Sequence, residues 1–162
     1  MPSILLVCTA NICRSPMAEA ILRRLLFQRP DASQWHIESA GTWADSGSRA
    51  AIFSQLSMLN MGLDINQHRS QPVSDELLGR FDLILTMEGQ HKEGLGLQWG
   101  KYKNRIFMLS EMIGVIEDIK DPIGGTLEDY EETARMLEQV ISEGLDRIIE
   151  LACKQQEQLS GS

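Results

Sequence analysis

The stretch from Ser3 to Pro16 constrains the fold more than any other part of the chain. Ser3-Ile4-Leu5-Leu6-Val7 is a short, nearly continuous apolar run, which is how a strand buried on both faces reads. It stops at Cys8 and the small or polar residues Thr9, Ala10 and Asn11. Ser15-Pro16 then supplies an N-cap residue type followed by proline at the first helical position, with Glu19 in the first turn and Met17, Ile21 and Leu25 four apart. A helix is therefore predicted to start at Ser15 and to end before Pro30. A buried strand, a tight loop and a helix open an α/β fold. Such a loop suits an oxyanion, because successive N–H groups and the helix N-terminus can converge on it without a lysine. The Gly-Lys-Ser/Thr ending of a nucleotide-binding loop is missing.

The rest of the chain alternates in the same way. His36 to Ala40, Phe81 to Met87 and Arg105 to Leu109 read as further strands. Ile52, Leu56 and Leu59 follow helical spacing up to a stop at Gly62, and short helical segments follow Ser74. Leu127, Tyr130, Ala134, Leu137, Ile141, Leu145, Ile148 and Ala152 step by three or four, behind a capping-box-like Thr126 and Asp129, with Gly144 as a tolerated weak point. The expectation is a single α/β domain over 1–153, a doubly wound four-stranded parallel sheet with helices on both faces and a phosphate-binding loop after the first strand. Residues 154–162 are polar and are expected to fray. At 162 residues a second domain would be cramped, so one domain is expected.

Lys and Arg number 15 against 23 Asp and Glu, for a net charge of −8, which disfavours nucleic acid as a partner. The run at 4–7 is too short for a signal-peptide core and has no basic residue before it, and no stretch approaches a membrane span. A cytoplasmic protein with no membrane partner is expected. Cys8, Cys13 and Cys153 are too few and too odd in number for a disulfide framework. His36 and His91 lack companions at metal-ligand spacing and read as structural or surface residues, so no metal or organic cofactor is expected.

Chemistry concentrates in the first loop, where Cys8 and Arg14 form a Cys-x5-Arg pair. Loop dipoles and a guanidinium both favour a thiolate, which can then attack phosphorus. The planar fork of Arg14 matches two oxygens of a phosphoryl group, and the Ser15 hydroxyl is placed to stabilise Cys8 as a leaving group. A phosphomonoester also needs a proton donor for its leaving oxygen. Asp121, restrained by Pro122 and followed by Gly124-Gly125, is the candidate, with Asp118 as a competitor.

Val7-Cys8-Thr9-Ala10-Asn11-Ile12-Cys13-Arg14-Ser15-Pro16, Ser39-Ala40-Gly41-Thr42, Gly62-Leu63-Asp64-Ile65 with His68-Arg69, Phe81 to Met87, and Asp121-Pro122 together resemble the low-molecular-weight protein tyrosine phosphatase family. The likeness runs from about Ser3 to Leu151. It implies a cofactor-free phosphatase acting on phosphorylated proteins through a cysteinyl-phosphate. Cys8 would be the nucleophile, Arg14 the phosphate clamp and Asp121 the general acid and then base. Thr9, Ala10, Asn11, Ile12, Cys13 and Ser15 would complete the phosphate loop, and Asn11, Ser39 and His68 would support it. The family usually places Gly where Ala10 stands, a position where a positive φ would penalise a Cβ, so this departure leaves the loop geometry there open. Cys13 is the resemblance-implied redox partner of Cys8.

Ile123-Gly124-Gly125 after the acid resembles the bacterial branch that includes protein arginine phosphatases, which carry Thr where this chain has Ile12. An apolar Ile12 packs on a phenol ring and gives a guanidinium no hydrogen bond, so phosphotyrosine is the main reading and phosphoarginine the alternative. Trp43 and Ile123 are expected as further walls of the substrate pocket. A bacterial tyrosine kinase is the partner inferred from bacterial members. A related arsenate reductase would need two more cysteines, and none lies between Cys13 and Cys153. A non-catalytic phospho-residue binding module is the remaining reading, against which the joint presence of Cys8, Arg14 and Asp121 argues.

Overall fold

Strand β1 (Ser3–Cys8) is buried along its whole length, and Ile4, Leu5, Leu6 and Val7 are fully excluded from solvent. Each such side chain contributes about 1.5–3 kcal/mol by transfer from water, so this strand anchors the molecule. The computed structural model describes residues 1–30 and 34–161. β2 (His36–Gly41), β3 (Leu83–Thr86) and β4 (Ile106–Met108) complete one sheet in the order β2-β1-β3-β4, and every pairing is parallel. Helices α1 (Arg14–Phe27), α2 (Ile52–Asn60) and α5 (Leu127–Ser160) pack on the face that carries Ile4, Leu6 and Cys8. α3 (Asp75–Gly79) and α4 (Gly89–Gln98) cover Leu5 and Val7 on the other.

Strand order places the site. From β1 the chain crosses to β2 on one side and returns to β3 on the other, so the loops leaving β1 and β3 diverge. In parallel sheets the crevice at the carboxyl ends of such strands is where ligands bind. Cys8 ends β1, and Glu88 follows two residues after β3.

Several local expectations change. α1 starts at Arg14, its N-cap is Cys13, and Ser15 lies inside the helix with its hydroxyl turned to other use. β3 is shorter than predicted because Asp82 leaves the strand to accept hydrogen bonds from the Ser3 amide and hydroxyl at 2.9 and 3.0 Å. Phe81 instead stacks on the His36 ring, with centroids 5.6 Å apart. The α2 stripe faces water: Ile52 is 68% exposed and Leu59 54%, while Ser54, Ser57 and Met58 are buried. Polar anchoring sets that orientation. The Ser54 hydroxyl donates to the Cys13 carbonyl at 3.3 Å, and the Ala51 amide donates to Ile12 at 2.8 Å.

α5 keeps its predicted cap, with the Thr126 hydroxyl accepting from the Asp129 amide and the Asp129 carboxylate accepting from the Thr126 amide. Tyr130, Ala134, Leu137, Ile141, Ile148 and Ala152 are buried as the periodicity requires. Two expectations for this helix are corrected. Gly144 is a point of close approach: a Cβ there would sit 2.7 Å from the Met112 Cβ. The segment after Cys153 continues as helix to Ser160, and Gln155 donates to the Asn104 carbonyl at 3.0 Å. No helix among the described residues is long and apolar enough to cross a membrane.

Candidate active site

The loop between β1 and α1 is shaped by one residue in an uncommon conformation. Asn11 has φ of 58° and is the only non-glycine with positive φ among the described residues. Ala10, where the family usually has Gly, does not adopt this conformation. Asn is one of the few side chains that tolerate it, because its amide can bond locally. Here that amide is fully used. Asn11 Nδ2 donates to Ser15 Oγ at 2.7 Å and to Ser39 Oγ at 2.9 Å, while Oδ1 accepts from the Gln71 amide at 2.9 Å. His68 Nε2 donates to the Asn11 carbonyl at 2.7 Å, and Ser39 is itself held by Glu19 Oε1 at 2.8 Å. Asn11, Ser39 and His68 therefore meet, as the sequence expects, with Glu19 and Gln71 joining them.

The bond from Asn11 fills one lone pair of Ser15 Oγ, and the hydroxyl lies 2.9 Å from Cys8 Sγ, to which it can donate once Cys8 is a thiolate, and 3.5 Å from the Ala40 carbonyl. This hydroxyl faces the thiol instead of capping the helix. Gly41 lets β2 press against the loop, since a Cβ there would meet the Thr9 carbonyl at 2.4 Å. The Thr42 and Trp43 amides donate to the Cys8 and Thr9 carbonyls at 2.9 and 2.8 Å, tying the two segments together.

Arg14 is 1% exposed, an unusual state for a guanidinium. Nη1 donates to Glu88 Oε2 at 2.5 Å and to the Ile119 carbonyl at 2.7 Å. Nη2 lies 3.3 Å from Asp121 Oδ2 and 3.5 Å from Thr9 Oγ1. Nε is buried and has no partner among the described residues. Nη1 is thus fixed by the protein and Nη2 is held more loosely by Asp121 and Thr9, so the Nε–Nη2 edge is the side that can turn to two oxygens of an anion in the cradle.

Asp121 Oδ1 accepts from the Ile123 amide at 3.0 Å, a local turn that aims the carboxyl inward. Asp118 is occupied elsewhere: its Oδ1 accepts from the Gly89 amide at the start of α4. Cys8, Ala10, Ile12, Cys13, Arg14, Asp121 and Ile123 line one shallow cavity. Trp43 does not. It lines a neighbouring cleft and is 87% exposed, which corrects its placement as a wall of the Cys8 pocket.

Glu88 and His91 were not singled out for this site by the sequence. An acid directly after a parallel strand, with a histidine three residues on, was the available signal. Burial works against ionisation of Glu88, but its hydrogen bond to Arg14 and the guanidinium charge hold the carboxyl below its usual range. His91 is buried, and burial pushes it below its ordinary value against the pull of the Glu88 carboxylate. Its Nδ1 accepts from the Glu88 amide at 3.2 Å, so Nε2 carries the hydrogen and donates to Thr9 Oγ1 at 2.9 Å. The Cys13 thiol lies 3.5 Å from the Tyr130 hydroxyl. Burial raises Cys13, with the Tyr130 hydrogen bond opposing, and burial together with the Cys13 contact raises Tyr130.

The family model described as low molecular weight phosphotyrosine protein phosphatase matches residues 3–156. The protein-arginine-phosphatase of Bacillus subtilis (strain 168) is 34% identical, over 85% of this chain and 91% of its own. The probable low molecular weight protein-tyrosine-phosphatase EpsP of Ralstonia nicotianae is 38% identical, over 90% and 95%. In three dimensions the YwlE arginine phosphatase from Geobacillus stearothermophilus superposes with a TM-score of 0.84 at 31% identity, covering 100% of this chain and 98% of that one.

Proposed function

The chain belongs to the low molecular weight phosphotyrosine protein phosphatase family, and from that premise we propose that it hydrolyses phosphotyrosine in proteins through a cysteinyl-phosphate on Cys8. The observation that carries this reading is the half-committed guanidinium of Arg14, buried, lining one cavity with Cys8, its Nη1 tied to Glu88 and Ile119 and its Nε without a partner among the described residues. Arg14 then follows two equatorial oxygens through the transition state. The Cys8 thiolate attacks phosphorus, the sulfur–phosphorus bond forms, and the bond to the phenolic oxygen breaks. Asp121 supplies the proton to that oxygen. In the second step Asp121 as carboxylate takes a proton from water, the water oxygen bonds to phosphorus, and the thiolate departs with the Ser15 hydroxyl donating to it.

Ile12 and Ile123 line the Cys8 cavity and favour the phenol ring. Those two side chains offer a guanidinium no hydrogen-bond acceptor, whereas a phenol ring needs none. The alternative, phosphoarginine, is supported by Gly124-Gly125 and by the likeness to the two arginine phosphatases. Turnover of matched phosphotyrosine and phosphoarginine peptides, with Cys8→Ser as control, decides between them. Faster phosphotyrosine hydrolysis that the control abolishes supports the main reading, and faster phosphoarginine hydrolysis replaces it with the alternative. Activity surviving in Cys8→Ser would overturn the nucleophile assignment. Asp121→Asn is expected to slow leaving-group protonation, and unchanged turnover of phenyl phosphates rejects it as the acid.

A cytoplasmic setting and a bacterial tyrosine kinase as the source of substrate belong to the same reading. So does a protective role for Cys13. Peroxide converts the Cys8 thiolate to a sulfenic acid, and the Cys13 thiol displaces its hydroxyl to give a disulfide and water. Mass spectrometry after mild peroxide that finds only sulfinic or sulfonic Cys8 removes this role.

A further inference from the structure

A second cleft, of about 290 Å³, opens beside the Cys8 cavity, between the catalytic loop and α4. The indoles of Trp43 and Trp99 wall it, and Thr9, His91 and Leu95 lie along it. We infer that this cleft receives the side chain of the residue next to the phosphorylated one in a protein substrate, and that it selects an aromatic or large aliphatic side chain there. The inference rests on the reading of Cys8 as the phosphatase nucleophile.

Position is the first argument. Thr9 follows Cys8 directly, and the backbone bonds from Thr42 and Trp43 to Cys8 and Thr9 make the two cavities neighbours across one strip of main chain. Adjacent Cα atoms of a bound peptide are about 3.8 Å apart, so a chain with its phosphoryl group over Cys8 brings a neighbouring side chain within reach of this cleft. Chemistry is the second. Among the described residues no Asp, Glu, Lys or Arg lines it, so they offer nothing to a nucleotide or another charged ligand. Its volume falls just below the roughly 300–1,000 Å³ of sites for whole small molecules, yet it holds one side chain. Trp43 is almost wholly exposed, an indole face that a substrate ring can cover.

Hydrogen-bond accounting is the third. Thr9 Oγ1 accepts from His91 Nε2 and, more distantly, from Arg14 Nη2. Among the described residues no acceptor takes its own proton. That leaves one oriented donor at the junction of the two cavities, suited to a carbonyl of the substrate main chain.

The test uses the wild-type enzyme on free phosphotyrosine and on short phosphotyrosine peptides that differ only in the neighbouring residue, Ala against Phe or Leu, on either side. The phosphoarginine counterparts run beside them. A Phe or Leu neighbour on one side is expected to raise kcat/KM by about fivefold or more over Ala, mainly through KM. Gly94 lines the cleft, and a Cβ built there meets nothing within 4 Å, so Gly94→Phe fills the space without a backbone clash. That variant is expected to bring the Phe-to-Ala ratio close to one. Equal turnover of all neighbours by the wild type, or a preference that survives Gly94→Phe, overturns the subsite while hydrolysis of free phosphotyrosine leaves the Cys8 reading standing. No hydrolysis of any phosphorylated substrate overturns both.

Discussion

The catalytic loop and α5 are stabilised in opposite ways. Around Asn11 nearly every tie is polar and directional, running to Ser15, Ser39, Gln71 and His68. Along α5 the ties are a stripe of apolar side chains closed over the sheet. Apolar burial is non-directional and roughly proportional to area, so it stabilises α5 without fixing any atom to a fraction of an ångström. Hydrogen bonds add little net stability but set geometry. Damage to the loop should therefore appear in turnover, and damage to α5 in stability.

The sharpest separation comes from Cys8→Ser. Turnover of a phenyl phosphate is expected to fall by roughly 10⁴- to 10⁶-fold, while the urea midpoint moves by no more than about 1 kcal/mol equivalent. A large loss of stability would show that the core contacts of the thiol outweigh its place in the loop. Leu137→Ala is the mirror case. Leu137 is fully buried in the stripe, so the variant is expected to lose about 2–5 kcal/mol in urea unfolding and to keep its turnover per folded molecule. Reduced kcat in the folded fraction would break the division between the two regions.

Asn11→Ala tests the boundary. It removes three side-chain hydrogen bonds and leaves a Cβ residue at positive φ. Turnover is expected to drop on the order of 10²-fold through misplacement of the loop, with a stability loss of about 1–3 kcal/mol. A stability loss without a turnover loss would mean the φ is not what holds the cradle in shape.

The smallest expected effect is a pH dependence from His91. Burial lowers its pKa from an ordinary value of 6.5. As pH falls below about 6.5 the unfolded chain takes up a proton that the folded chain resists, so stability declines on acidification. Protonation at Nδ1 also removes the acceptor for the Glu88 amide. His91→Gln is expected to flatten this part of the stability curve between neutral pH and mild acid, and an unchanged curve would assign the decline to other groups.

Legibility in the sequence followed the same division. β1 and α5 were readable because burial on two faces and burial on one stripe leave different spacings of apolar residues. α2 shows the limit of that signal. Ile52, Leu56 and Leu59 have helical spacing and the helix is there, but the stripe faces water because Ser54 and Ala51 are tied to the loop. Cys8, Arg14 and Asp121 could be picked out because their chemistry is rare in combination. Glu88 could not, since one acid after a strand says nothing of the arginine it will meet 74 positions away. The positive φ at Asn11 was also out of reach, being the outcome of ties to Gln71 and His68 that no local pattern encodes.

Those ties are long in sequence. Arg14 meets Ile119 and Asp121 across 105 and 107 residues, and Cys13 meets Tyr130 across 117. During synthesis at about 5–20 residues per second, the segment made first waits on the order of 5–20 s for the partners that enclose it. A nascent chain therefore carries an unhoused thiol and an unpaired guanidinium through most of its production, and the reactive pocket is among the last features to close.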